Sequence, residues 1–289
     1  MDIPDDWPDR AFSRFVELDG IRWHVQQQGR GPVLLLVHGT GGSTHSWTSC
    51  TGALSHMGTV VSVDLPGHGF SHVPVAVERA SNAYALASMA RSLGRLLQHL
   101  QLMPSVAVGH SAGMAVLLRM TLDGEIAPKM LLGVCPALVA PPAWYVAFVA
   151  PVLGALVESA AAAHGGARLA ADTRIVKRML DSTGSALTAP QLARYELLCR
   201  KPEHIHAALT MMARWNLPEL LRDAVALRTP VQLLAGKQDR WVPIAPLTRA
   251  VAGLVAVQLE AVDGGHLLAE EKPNEVIRKV EGGLINGGD

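Results

Sequence analysis

Val106-Ala107-Val108-Gly109-His110-Ser111-Ala112-Gly113-Met114 carries an apolar, strand-like run straight into a Gly-x-Ser-x-Gly pentapeptide. A helix-compatible run, Ala115 to Met120, follows at once. Strand, tight turn and helix in that order are what lift a serine hydroxyl out of a sheet. Small residues at 109, 112 and 113 allow the strained backbone the turn requires. Alone the pentapeptide is a weak signal, so the rest of the chain must supply the partners a reactive serine needs.

The strands around it set the fold class. Val33 to Val37, Thr59 to Val63 and Met130 to Val134 are continuous apolar runs, the mark of strands covered on both faces. An amphipathic stretch from about Asn82 to Leu100 precedes the serine-bearing strand. Later come the strand Val231 to Ala235, a helix near Ile244 to Ala252, the strand Val255 to Leu259 and a closing helix from Leu267 to Val280. Such alternation predicts a doubly wound, mostly parallel α/β sheet. At the start, Phe12 to Val16 and Ile21 to Gln27 flank Asp19-Gly20 and read as an edge hairpin. Trp23 and Val25 alternate there with Arg22, His24 and Gln26, as in a half-buried strand.

Between about Ala137 and Asn216 the alternation stops. Pro141-Pro142, Gly165-Gly166 and the breakers from Ser182 to Pro190 separate what read as helices. The expected organisation is therefore a core of residues 1–136 and 217–289, with 137–216 inserted as a helical lid. No charge occurs between Lys129 and Glu158, but Pro136, Pro141, Pro142 and Pro151 argue against a membrane-spanning helix. The span reads instead as a buried strand followed by an apolar lid helix, or, through Trp144, Tyr145, Phe148 and Leu153, as a greasy roof over the site. Met211 is a candidate for the lid pocket with Trp144, Tyr145 and Phe148, though Met211 and Met212 read most simply as lid core. That roof suits a large lipophilic substrate or peripheral contact with a membrane surface.

Composition closes off other classes. The 289 residues are 49% hydrophobic, enough for a sizeable core, and 25 basic residues balance 25 acidic ones. With no basic run and no stacking aromatic series, nucleic acid is not an expected partner. The opening Met1-Asp2-Ile3-Pro4-Asp5-Asp6 does not read as a signal peptide. Three widely spaced cysteines (Cys50, Cys135, Cys199) argue for a reducing compartment, so a cytoplasmic protein is expected.

The chemistry follows from what a serine lacks. A hydroxyl needs a base within hydrogen-bond reach, and the base needs an acid to fix its tautomer and stabilise its cation. Asp239 stands in the loop after the strand Val231–Ala235, and His266 in the loop after the next strand. Both lie beyond the carboxyl ends of strands, where catalytic groups gather in open α/β sheets. Asp263, three residues before His266, reads as a turn former. His38-Gly39-Thr40-Gly41-Gly42 directly follows the strand Val33–Val37, and its glycines let backbone N–H groups face a developing oxyanion. The expected donors are the amides of Thr40 and Ala112; His38, Gly39, Gly41 and His110 are expected to shape the site. His204 and His206, two apart on a helix, splay and have no matching cysteine or carboxylate cluster, so no metal is expected; no cofactor is expected either. Arg168, Arg174, Lys177 and Arg178 make the lid locally basic, as a solvated face or a dock for a carboxylated substrate.

These stretches together resemble the α/β-hydrolase family over nearly the whole chain. Asp64-Leu65-Pro66-Gly67-His68-Gly69 adds to the likeness as a shaped turn beside the site. Ser111, where other branches carry Asp, sets the chain apart from haloalkane dehalogenases and epoxide hydrolases. The phrases from His38 to Trp47 and from Met211 to Leu217, with Arg14-Phe15-Val16 and Arg22 to Gln26, look most like the BchO-type proteins. Those are described as magnesium-chelatase accessory proteins of bacteriochlorophyll biosynthesis. The resemblance implies a Ser-His-Asp esterase of a lipophilic substrate, such as a tetrapyrrole methyl ester, with contact to magnesium chelatase. Two further readings use the same residues: a porphyrin- or chelatase-binding protein without turnover, and a general carboxylesterase.

Overall fold

The computed structural model describes residues 3–139 and 173–285. Eight strands among them form one sheet: β1 Ser13–Leu18, β2 Ile21–Gln28, β3 Val33–Val37, β4 Thr59–Val63, β5 Pro104–His110, β6 Met130–Val134, β7 Val231–Gly236 and β8 Val257–Val262. Their order is β1-β2-β4-β3-β5-β6-β7-β8. β1 and β2 pair antiparallel, as does β2 with β4; every pair from β4 onward is parallel. The expected doubly wound, mostly parallel sheet is the one observed.

Helices cover both faces. α1 (Thr48–Ser55) lies on one face, while α2 (Val75–Ser81), α3 (Leu86–His99) and α4 (Ala112–Leu122) follow β4 and β5. The segment between β6 and β7 contributes α5 (Thr173–Asp181), α6 (Ala189–Cys199), α7 (Pro202–Arg214) and α8 (Leu217–Ala224). α9 (Ile244–Val251), α10 (Leu268–Glu271) and α11 (Pro273–Ile285) complete the chain. Met89, Leu93 and Leu97 of α3 and Met114 and Leu117 of α4 pack one core face against Leu35, Val61 and Ala107. Trp47, Leu54, Val276 and Val280 pack the other against Leu34, Leu36 and Val108. Because β3, β5 and β6 are apolar on both faces, each strand feeds two cores, which fixes their central place. Among the described residues no helix is long and apolar enough to cross a membrane.

Four local expectations shift. His24 and Gln26 of β2 are buried, not solvent-facing: the Asp64–Ser71 segment meets His24 and the chain before β1 meets Gln26. Gln26 Nε2 donates to Pro8 O (2.7 Å), and Trp7 packs edge-on against Phe70, 4.8 Å between ring centroids. The amphipathic run begins as a helix at Leu86, not Asn82, since Asn82 takes a left-handed conformation (φ 49°) that ends α2. The last strand spans Val257–Val262, set by pairing with β7, and Val255 is exposed. The closing helix is two helices, because Pro273 has no N–H to give and forces Lys272 out of the helical region.

Candidate active site

The turn at Ser111 is built by close approach of backbones. β5 ends at His110, α4 begins at Ala112, and Ser111 between them holds φ 50° and ψ −116°, a region that side-chain-bearing residues rarely occupy. A Cβ at position 113 would stand 2.2 Å from Val37 O, so only glycine lets α4 start against β3. Gly113→Ala is expected to lower stability by about 3 kcal/mol in urea denaturation, since backbone rather than a flexible side chain must yield. Stability within about 0.5 kcal/mol of the parent would show that the approach is looser than this.

Ser111, His266 and Asp239, drawn from three loops, form one hydrogen-bonded chain. The separation of His266 Nε2 from Ser111 Oγ is 3.0 Å, and that of His266 Nδ1 from Asp239 Oδ2 is 2.8 Å. A carboxylate only accepts, so the ring carries its proton on Nδ1, donates it to Asp239 and leaves Nε2 to accept from the serine hydroxyl. Asp239 is itself fixed: its Oδ1 accepts from the backbone N–H groups of Trp241 and Val242, both at 2.8 Å. All three residues are buried, and Ser111 is 8% exposed.

Opposite the serine lies the turn Gly39–Gly42. Gly42 N–H donates to Gly39 O (3.0 Å), and Gly41 at the third position has φ 72°, as a type II turn requires. His38 accepts at Nε2 from Leu65 N–H (2.9 Å), so its Nδ1–H donates to Gly39 O (2.8 Å). That carbonyl belongs to the same peptide unit as the Thr40 N–H, so holding one aims the other. Neither the Thr40 nor the Ala112 N–H donates to any described residue, and Ala112 opens α4, where free N–H groups gather. Gly39 makes room: a Cβ there would lie 2.8 Å from Ser111 Cβ and 2.9 Å from His110 Nδ1.

The other histidines around the site have structural partners. His110 donates from Nε2 to His266 O (2.9 Å), and burial, helped by the neighbouring His266, lowers its pKa to about 3. Burial likewise lowers His38. Both rings stay neutral at physiological pH, and among the described residues only His266 reaches the serine oxygen. Asp64 is buried, and burial alone would raise its pKa. The His24 ring 2.6 Å away, with N–H groups of Thr44 and Phe70, instead holds it well below the usual carboxylate range. His204 and His206 point to different partners, Gly69 and Gly41 for the first and Glu78 for the second.

Among the described residues, the donors close enough to share a metal ion are Cys135, Asp239 and His266, with ligand atoms within 4.8 Å. They fit one poorly. The His266 Nδ1 and Asp239 Oδ2 are committed to each other, and burial, then Asp239, pushes the Cys135 thiol well above its usual range. All three cysteines are buried and free.

A cavity of about 300 Å³ opens onto Thr40, Ser111, Ala112 and His266. Its walls are mostly aliphatic and aromatic: Val176 and Leu180 of α5, Met211 and Met212 of α7, then Trp215 and Trp241. Met211 is buried and lines this cavity; Trp144, Tyr145, Phe148 and Leu153, like Arg168, lie outside the described residues. Lys177 pairs with Asp181 at 2.8 Å.

Several contributors escaped the sequence reading. The Ser182–Pro190 breakers do more than separate helices: Thr183 O accepts from His266 N–H (3.3 Å), and Ser185 Oγ accepts from Leu267 N–H (2.8 Å). The His266 loop is thus braced from a segment some eighty residues away, which no local pattern announces. Ile175 and Met179 were legible in principle, as an i, i+4 apolar pair that also lines the cavity.

Comparison with known proteins agrees with this architecture. The family model described as "Alpha/beta hydrolase family" matches residues 34–279. The magnesium-chelatase 30 kDa subunit of Rhodobacter capsulatus is 36% identical over 274 residues, covering 93% of each chain. Among solved structures, an alpha/beta hydrolase fold protein from Burkholderia ambifaria superposes with a TM-score of 0.76 at 24% identity, covering 93% of this chain and 97% of that one. An esterase from Exiguobacterium antarcticum gives 0.75 at 17% identity, with the same two coverages. At those identities the structural matches speak for the fold alone.

Proposed function

This chain belongs to the alpha/beta hydrolase family, and from that premise we propose that it is a serine hydrolase acting on an ester of a lipophilic substrate. The observation that carries the reading is the run of hydrogen bonds from Ser111 through His266 to Asp239 at the floor of an apolar cavity. Ser111 Oγ attacks the ester carbonyl while His266 Nε2 takes its proton. The carbonyl oxygen, now negative, faces the N–H groups of Thr40 and Ala112. Removing one such donor typically costs about 3 kcal/mol of transition-state stabilisation. His266 then protonates the departing alkoxide, leaving an acyl-serine. Water, deprotonated by the same nitrogen, releases the acid. Asp239 holds the tautomer and offsets the imidazolium charge throughout.

Residues 137–216 serve in this reading as a lid: α5 and α7 supply much of the cavity wall, and their apolar side chains favour a lipophilic acyl or alkyl group over a charged one. A tetrapyrrole ester of bacteriochlorophyll synthesis is the substrate class we propose; it is supported by the apolar cavity and by similarity along nearly all of both chains to a protein named as a magnesium-chelatase subunit. That name also favours a second reading, in which the chain assists the chelatase or binds a porphyrin without turnover.

One experiment separates the two. Exposure of the purified protein to a fluorophosphonate probe is expected to add a single adduct by intact mass, absent from Ser111→Ala and His266→Ala. Esters of increasing chain length, and then porphyrin methyl esters, would follow. A folded wild-type protein that takes no adduct and turns over no ester would favour the binding role, and porphyrin titration would then test it.

A further inference from the structure

We propose that His204 is a positioning residue for the oxyanion loop, holding the Gly39–Gly42 turn from the lid side; this rests on the serine-hydrolase reading. His204 lies on α7, is fully buried, and lines the cavity. Gly69 N–H donates to its Nδ1 (3.0 Å), so the ring proton sits on Nε2, which donates to Gly41 O at 3.2 Å. One ring therefore ties the turn after β3 to the turn after β4, across 135 and 163 residues of sequence.

The reach of that ring is set by its neighbours. Lys201, also buried, donates from Nζ to Gly69 O (2.7 Å) and lies 3.8 Å over the Phe70 ring. At position 67 a Cβ would stand 2.6 Å from Ala207 Cβ, so α7 rests directly on the Asp64–Gly69 turn. In the Gly39–Gly42 turn, Gly39 is packed against Ser111 and His110 and Gly42 against Ser46, but Gly41 has no such neighbour. A Cβ placed on Gly41 would meet nothing within 4 Å, so on that side a hydrogen bond and not contact restrains the loop. His38 secures the turn at Gly39 O and His204 secures it at Gly41 O, one on each side of the Thr40 amide. Burial lowers the His204 pKa to about 4, so the ring stays neutral and the bond persists across physiological pH.

The role differs from that of a catalytic group, because His204 acts through the loop. A misplaced donor costs rate and not ground-state binding, so kcat should fall with KM nearly unchanged. Three variants of the full chain divide the ring's two bonds. His204→Gln keeps a donor for Gly41 O, His204→Asn keeps only an acceptor for Gly69 N–H, and His204→Leu keeps neither. On a short-chain nitrophenyl ester, Asn and Leu are expected to lose roughly 10- to 100-fold in kcat, while Gln stays within about threefold of wild type. Amide hydrogen exchange of the peptide spanning residues 38–47 should be faster in Asn and Leu and unchanged in Gln.

Equal kcat in all three variants and the wild type, or equal loss in all three, would overturn the assignment. So would faster loop exchange with no loss of rate. If the wild type neither turns over ester nor takes a fluorophosphonate, the serine-hydrolase reading fails instead. Loop exchange then still decides the His204 bond, and unchanged exchange in Asn and Leu would remove it.

Discussion

Ser111→Ala is expected to lower ester turnover by a factor on the order of 10⁴ or more while the protein stays folded. The hydroxyl supplies the only atom that forms the acyl bond in the proposed mechanism, so nothing at the site substitutes for it. What remains is the contribution of the Thr40 and Ala112 amides and of substrate burial, which in such sites still exceeds the uncatalysed rate. Stability should barely change. Alanine occupies the same strained backbone position, and the loss is one hydrogen bond, about 1 kcal/mol. Steady-state kinetics and a thermal melt on the same preparation check both halves. Turnover above about one hundredth of wild type would show that another group carries the reaction.

Glu270→Gln is expected to stabilise the protein at high pH and to change it by less than about 1 kcal/mol near pH 5. Glu270 lies on α10, four residues after His266, and is 8% exposed. Its Oε1 accepts from Tyr195 O–H at 2.5 Å, and its Oε2 has no partner among the described residues. Burial, against the opposing effect of the Tyr195 hydroxyl, raises its pKa from 4.5 to about 8. The folded chain therefore keeps a proton here that the unfolded chain releases above pH 4.5. Unfolding becomes easier as pH rises from there to about 8, and the penalty levels off once the folded state also ionises. At 1.36 kcal/mol per pKa unit, the full penalty is about 4 to 5 kcal/mol. Glutamine keeps an acceptor for Tyr195 and carries no charge, so it escapes the penalty. Urea denaturation at pH 5, 7 and 9 should show the variant and parent diverging in that order. Parallel stabilities at all three values would mean that Glu270 is not held as a buried neutral acid.

Much of the fold could be read from local pattern. β3, β4 and β6 match the expected runs residue for residue, because β3 and β6 carry no polar side chain to blur their limits and β4 carries only the small Thr59 and Ser62. Edges read less well. β8 moved because its ends are set by pairing with β7, and the last helix divided at a proline whose effect an apolar periodicity hides. His24 looked like the outward side of a half-buried strand. Only the segment after β4, with Asp64, Phe70 and Ser71, and Ser13 of β1 put it inside.

Local pattern sets the succession of strands and helices along the chain and singles out Ser111, Asp239 and His266, which the fold brings into one hydrogen-bonded run. Both are local properties: hydrophobic period sets each element, and a loop at the carboxyl end of a strand must open on the same edge of a parallel sheet. Which distant groups brace the His266 loop, the oxyanion turn and α10 follows from the tertiary fold. The ties from Thr183 to His266, from His204 to Gly41 and from Glu270 to Tyr195 join segments 75 to 163 residues apart. A backbone carbonyl or a buried ring chooses its partner by distance and desolvation after folding, and neither quantity is written in any local stretch of sequence.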